Sequence, residues 1–167
     1  FKPLEMTDTS FMLEESKLDR LMISYEFDPL HKKLNDPSEN TQKIGGYGYP
    51  TNSATYARGG HGLFSSLEDY SKFAQMLLTG KTKTGEIIIS QSMLSLATTN
   101  HLSPSFFPLE IKNFDVDVLE ENDLEPYGWG LGFRVMMDID KINGIGSIGE
   151  FGWAGAAATY FLVDPKN

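Results

Sequence analysis

Gly149-Glu150-Phe151-Gly152-Trp153-Ala154-Gly155-Ala156-Ala157-Ala158-Thr159-Tyr160-Phe161-Leu162-Val163-Asp164-Pro165 sets small residues in the middle of an apolar run. A strand reads this way where something must approach its backbone closely and side chains would block the way. A ligand is one such thing, so the run is expected to line a substrate site.

Working back from it, the period of two continues. Tyr127-Gly128-Trp129-Gly130-Leu131-Gly132-Phe133-Arg134-Val135-Met136 reads as one strand, Asp138 to Gly144 as a turn region, and Gly155 to Val163 as the returning partner of an antiparallel hairpin. Before these, Leu102 to Pro126 carries prolines and the acidic run Asp115-Val116-Asp117-Val118-Leu119-Glu120-Glu121-Asn122-Asp123, which reads as an exposed loop.

Helix signals lie further upstream. Ser65-Ser66-Leu67-Glu68 is a capping box, in which the Ser65 hydroxyl accepts from the N–H three residues on and Glu68 reaches back. Tyr70, Phe73, Ala74, Leu77 and Leu78 then recur at spacings of three and four, and Gly80 supplies a left-handed stop. The predicted helix spans about 67 to 79. A turn-rich stretch and the run Ile87-Ile88-Ile89 follow, and Ser90 caps a second helix through Met93, Leu94 and Leu96, expected to pack on the first. The first 60 residues show little periodicity; Glu14 to Tyr25 reads as a short helix or strand, and Lys32 to Asn40 and Gly45 to Pro50 as loop and turns.

At 167 residues, 40% hydrophobic and 12% aromatic, the chain can build a globular core. Fourteen basic against 23 acidic side chains give a net charge of -9, which argues against nucleic acid and anionic membranes as partners. Without cysteine there is no disulfide, thiolate metal site or thiol nucleophile, and the redox compartment stays open. His31, His61 and His101 are too scattered for ligand spacing, and the acidic run lacks the glycine and register of an EF-hand, so no metal is expected. Gly128-Trp129-Gly130-Leu131-Gly132 precedes no capped helix, which sets aside a phosphate loop and leaves a strand with glycines for close packing.

Four segments, in order, carry a family likeness: Pro3-Leu4-Glu5-Met6-Thr7-Asp8-Thr9-Ser10; Gly59-Gly60-His61-Gly62-Leu63-Phe64-Ser65-Ser66-Leu67-Glu68-Asp69-Tyr70; Tyr127-Gly128-Trp129-Gly130-Leu131-Gly132-Phe133; and the run from Gly149. The first resembles a Pro-Leu-Gly-Met-x-Asp-Thr segment, and the second a Gly-Gly-Gly-Leu-x-Ser-Thr-x-x-Asp-Tyr segment, of the serine β-lactamase-like family. That family includes class C β-lactamases, D-alanyl-D-alanine carboxypeptidases and penicillin-binding-protein-like esterases. The resemblance implies an α+β fold with an antiparallel sheet flanked by helices. Residues 1–167 are then expected to be the C-terminal portion of one β-lactamase-like domain, with 1–126 mainly helical and loop and 127–167 antiparallel strands.

The family uses Ser-x-x-Lys, Tyr-x-Asn or Tyr-x-Ser, and Lys-Thr-Gly or an equivalent. A serine hydroxyl needs a base to take its proton, and the oxyanion that forms needs N–H donors aimed at it. This sequence contains no Ser-x-x-Lys, and none of its seven tyrosines begins the second motif. The family places both before its Pro-Leu-Gly-Met segment, so the expectation is a chain cut at both ends, lacking its nucleophile and inactive alone. A literal Lys83-Thr84-Gly85 has no small-residue strand after it and reads as a solvated turn.

Trp153-Ala154-Gly155 resembles the Trp-x-Gly that replaces Lys-Thr-Gly in esterase-like members. The resemblance implies that Trp153 and Ala154 line the substrate, that Gly155 leaves room for the acyl group, and that the Ala156 N–H is an oxyanion donor. The plainer role for Trp153 is a packed strand aromatic. His61, set among glycines, is a candidate for the substrate rim, with loop packing as its plainer role. With no cation at position 153, neutral esters or amides are favoured over carboxylate-bearing β-lactams. The implied activity is hydrolysis of ester or amide bonds through an acyl-enzyme, with no metal or organic cofactor. The alternatives are a catalytically silent β-lactamase-like binding or regulatory module and, more remotely, an unrelated acidic interaction domain. The cellular location is left open.

Overall fold

A computed structural model describes residues 1–22, 25–28, 30–35, 43–44, 47–48, 59–60, 62–109, 124–142, 146–155 and 159–167. In chain order the elements are β1 (Glu26–Asp28), β2 (Lys33–Asn35), β3 (Lys43–Ile44), β4 (Tyr47–Gly48), α1 (Leu67–Thr79), α2 (Gln91–Ala97), β5 (Tyr127–Trp129), β6 (Arg134–Met136), β7 (Phe151–Ala154) and β8 (Tyr160–Val163). Strands β1–β2 and β3–β4 are two small antiparallel pairs, and β5-β6-β7-β8 form one antiparallel sheet in sequence order. Glu15–Arg20, inside the stretch read as helix or strand, is a 3-10 helix.

Both predicted helices form. The cap of α1 is shifted by one residue: Ser66, not Ser65, is the N-cap, and its side chain accepts from Asp69 N–H at 3.2 Å. Glu68 makes no return bond and lies exposed beside Lys72. The displacement has a long-range cause. The Ser65 hydroxyl is engaged with the Thr9 hydroxyl at 2.8 Å, and Asp69 is drawn into a buried cluster with the start of the chain. Gly80 ends α1 at φ +74, and a Cβ there would meet the Ile89 carbonyl oxygen at 2.5 Å. Ser90 caps α2 by accepting from Met93 N–H. Ile87 to Ile89 form no strand; Ile87 makes only an isolated bridge with Lys81.

The two strand runs each divide. The run read as one strand from Tyr127 to Met136 is a hairpin, β5–β6, reversing at Gly130–Phe133, where Gly130 N–H donates to Phe133 O and Gly132 has φ +93. The run from Gly149 is a second hairpin, β7–β8. The expected pairing of 127–136 with 155–163 is therefore replaced by β6 pairing with Phe151 and Gly152, while the residues after Gly155 fold back onto β7. The close approach that the small residues permit is partly internal, because a Cβ at Gly152 would collide with the Phe161 carbonyl of β8.

One core cluster joins Met76 and Leu77 of α1 and Leu94 of α2 to Val135, Phe151 and Val163 of the sheet, so both helices share an apolar centre with the strands. Phe161 extends it, meeting Tyr70 and Phe73 edge to face. A second cluster, Leu124, Tyr127 and Met136, gathers Leu109, Ile139, Ile142 and Trp153 around it.

Candidate active site

The Trp153-Ala154-Gly155 segment stands at the end of β7. Gly155 N–H donates to Thr159 O at 2.7 Å across the tip of the β7–β8 hairpin, and Ala154 is paired with Tyr160. Successive N–H groups of an extended strand point to opposite sides, so the Ala154 N–H faces away from β8. On that side the pairing with β6 ends at Gly152, and among the described residues no strand continues it. The sheet thus has a local opening beside Ala154. A Cβ at Gly155 would meet the Thr159 hydroxyl oxygen. Ala156 and His61 lie outside the described residues.

Trp153 is half-buried and rests on the second core cluster. Its ring meets Trp129 at a centroid distance of 4.5 Å and 78°. Part of the residue therefore packs inward and the rest stays accessible.

Trp129 is held from the opposite side. Its N–H donates to Asn100 Oδ1 at 3.0 Å, and its carbonyl accepts His101 N–H at 2.8 Å. The flanking glycines serve this clamp. A Cβ at Gly128 would lie 2.6 Å from Asn100 Oδ1, and one at Gly130 would collide with the Ala97 carbonyl. The segment after α2 thus approaches β5 where glycine permits it.

Arg134, which the sequence reading passed over, is buried in β6. Its guanidinium lies 4.2 Å over the Tyr127 ring and 5.0 Å from the Tyr160 ring, and Nη2 donates to the Tyr160 hydroxyl. Its Nε is buried without a hydrogen-bond partner, and no carboxylate among the described residues pairs with it. The available signal was a lone cation inside the apolar stretch Phe133-Arg134-Val135-Met136.

The remaining candidates stand elsewhere. Lys83-Thr84-Gly85 is an exposed turn, with Gly85 at φ +90 and its N–H donating to Thr82 O. The His31 ring pairs with Asp28 at 2.6 Å on the surface, and that bond holds the Asp28 carboxyl below its usual range. His101 Nε2 meets the Leu96 carbonyl at 2.7 Å at the end of α2. Among the described residues no group of three or more His, Asp or Glu is placed to hold a metal ion, and no helix is long and apolar enough to cross a membrane.

A family model described as Beta-lactamase matches residues 1–167. The chain belongs to the beta-lactamase family. Protein Rv1367c of Mycobacterium tuberculosis (strain ATCC 25618 / H37Rv) is 28% identical over 167 residues, an alignment covering 98% of this chain and 38% of that protein. EstCE1, described as a hydrolase with promiscuous acyltransferase activity, superposes with a TM-score of 0.71 at 18% identity, covering 99% of this chain and 40% of that one. The simvastatin synthase LovD from Aspergillus terreus, in its LovD6 mutant, gives 0.70 at 20% identity, covering 98% and 40%. At these identities the two structures establish the fold. The antiparallel sheet flanked by helices is therefore a beta-lactamase fold, and this chain spans about two fifths of the length of the relatives it matches.

Proposed function

We propose that this beta-lactamase-family chain supplies one wall of a serine hydrolase site acting on ester or amide bonds. The observation that carries this reading is the opening beside Ala154, where the edge of β7 is unpaired beyond Gly152. The family resemblance assigns the oxyanion donor to the N–H of Ala156, which follows Gly155 in the sequence. Trp153 forms the adjoining wall.

A serine from a Ser-x-x-Lys segment attacks the carbonyl, and its proton passes through the lysine and tyrosine to the departing alkoxide or amine. Water then attacks the acyl-serine, releasing the acid and restoring the hydroxyl. No Ser-x-x-Lys occurs in these 167 residues, so the chain alone is inactive in this reading. We assign 1–126 and 127–167 to a single domain portion, consistent with a core that joins α1 and α2 to the sheet. Neutral esters or amides are the favoured substrates, because position 153 carries no cation. A β-lactam or a D-amino-acid peptide is the less favoured class.

The longest open reading frame containing this sequence tests the proposal. Incubated with a fluorophosphonate, it acquires a mass increment on the serine of a Ser-x-x-Lys, and it hydrolyses a chromogenic short-chain ester faster than a chromogenic cephalosporin. The 167-residue chain turns over neither. Turnover by the chain itself would overturn the assignment of the nucleophile. The missing Ser-x-x-Lys also favours a second reading, a silent binding or regulatory module; an open reading frame without that motif and without label decides for it.

A further inference from the structure

The chain holds two tryptophans, and the fold brings both to one corner. They come from β5 and β7, which are separated by β6, so the indoles meet across an intervening strand. They stand nearly perpendicular, at 78°, with centroids 4.5 Å apart. The clamp on Trp129, through Asn100 and His101, fixes the backbone from which one indole projects. Both rings are half-buried, and among the described residues neither indole N–H makes a hydrogen bond. Arg134 Nε, close by in β6, is a fully buried side-chain nitrogen without a partner among those residues.

We propose that Trp129 is a specificity-determining residue, forming with Trp153 an aromatic corner that receives the uncharged apolar group of an ester or amide substrate. The corner suits that chemistry. Trp153 packs against the cluster of Leu124, Tyr127 and Met136, and the buried Arg134 guanidinium is engaged with two tyrosines. Two ring faces take up hydrocarbon, and two N–H donors are available to an ester or amide oxygen. This rests on the hydrolase reading for the position of the reacting carbonyl beside Ala154.

Because the two tryptophans are the chain's only ones, intrinsic tryptophan fluorescence reports this corner alone. The 167-residue chain is titrated with N-methyl amides of butanoic, hexanoic and octanoic acids, and with hexanoate. The expected result is a saturable change that tightens at least about fivefold from the butanoic to the octanoic amide, with hexanoate about tenfold weaker than the hexanoic amide. Trp129→Phe, which retains Trp153 as reporter and an aromatic in the core, weakens octanamide binding about fivefold, and Trp129→Ala weakens it more. Far-UV circular dichroism establishes that each variant is folded. Absence of a saturable change, affinity indifferent to acyl length, or a folded Trp129→Phe that binds as the parent does would each overturn the proposal. The two readings separate cleanly. Amide binding that depends on Trp129 without any acyl-serine in the longer reading frame sinks the hydrolase and leaves the corner. An acyl-serine with unchanged acyl-length selectivity in Trp129→Phe does the reverse.

Discussion

The Thr9 hydroxyl donates to the Asp69 carboxylate at 2.9 Å across 60 residues of sequence, with both side chains buried. Asp8 N–H donates to the same carboxylate at 2.6 Å, and Lys72 lies 3.0 Å from its other oxygen. Burial pushes the Asp69 carboxyl up, but Lys72, the Asp8 N–H and the Thr9 hydroxyl together outweigh it and hold it below the usual carboxylate range. Asp69→Ala leaves those donors without an acceptor, and is expected to lower stability by about 3 kcal/mol in urea unfolding.

The same cluster sets an acid limit. Arg20, and then Lys17, hold the neighbouring Asp8 carboxyl well below its usual range. Both groups bind a proton more readily when unfolded than when folded. Their stabilisation is therefore complete above about pH 4 and is lost as the pH falls through the lower folded values. Unfolding midpoints measured from pH 6 to pH 2 should fall below about pH 4, and Asp69→Asn should flatten that fall.

The start of α1 separates two neighbouring serines. Ser66→Ala removes the cap and is expected to cost about 1 kcal/mol, whereas Glu68→Gln should change stability by less than about 0.5 kcal/mol, because Glu68 is exposed and makes no return bond. A loss of about 1 kcal/mol from Glu68→Ala with none from Ser66→Ala, read in thermal unfolding, would restore the capping box expected from the sequence.

Glu5 occupies left-handed backbone, with φ 54 and ψ 36, at the position where the family segment carries glycine. Its carbonyl accepts from Lys72 Nζ at 2.8 Å, a bond that does not depend on its side chain. Glu5→Gly relieves the strained conformation at some cost in chain entropy, and a net gain of about 0.5 kcal/mol is expected in the urea midpoint. A loss would show that the Glu5 side chain contributes more than its backbone costs.

Glycines in the β7–β8 hairpin should respond unequally. At Gly152 an added methyl meets the backbone of β8, which cannot give way without breaking the pairing, so Gly152→Ala is expected to cost at least about 2 kcal/mol. At Gly155 it meets the Thr159 hydroxyl, which can rotate aside, and about 1 kcal/mol is expected. Paired denaturation curves decide the order.

These contrasts show what the sequence could convey. The bounds of α1 were legible because apolar spacing, a hydroxyl cap and Gly80 all act within one turn of the helix. The choice between Ser65 and Ser66 was not, since each is followed three residues later by an acid and the decision rests with Thr9. The glycines of the β5–β6 run were read uniformly as packing glycines. That holds for Gly128 and Gly130, which face the segment after α2, but Gly132 turns the chain at φ +93. In the site, Trp153 could be named from the family likeness. Trp129 as its partner, and Arg134 between Tyr127 and Tyr160, depend on strand order and register, which local spacing does not encode.

Ser10 and Phe64 exchange both backbone hydrogen bonds, at 3.0 and 2.9 Å. This two-bond bridge pins the backbone next to Thr9 and Ser65, whose hydroxyls also meet. Lengthening a flexible loop adds only slowly to its closure entropy, about 0.6 kcal/mol for each doubling. A loop graft between these two residues that retains Glu15–Arg20 therefore keeps both the bridge and the Lys17 and Arg20 pairs with Asp8 that hold the start of the chain.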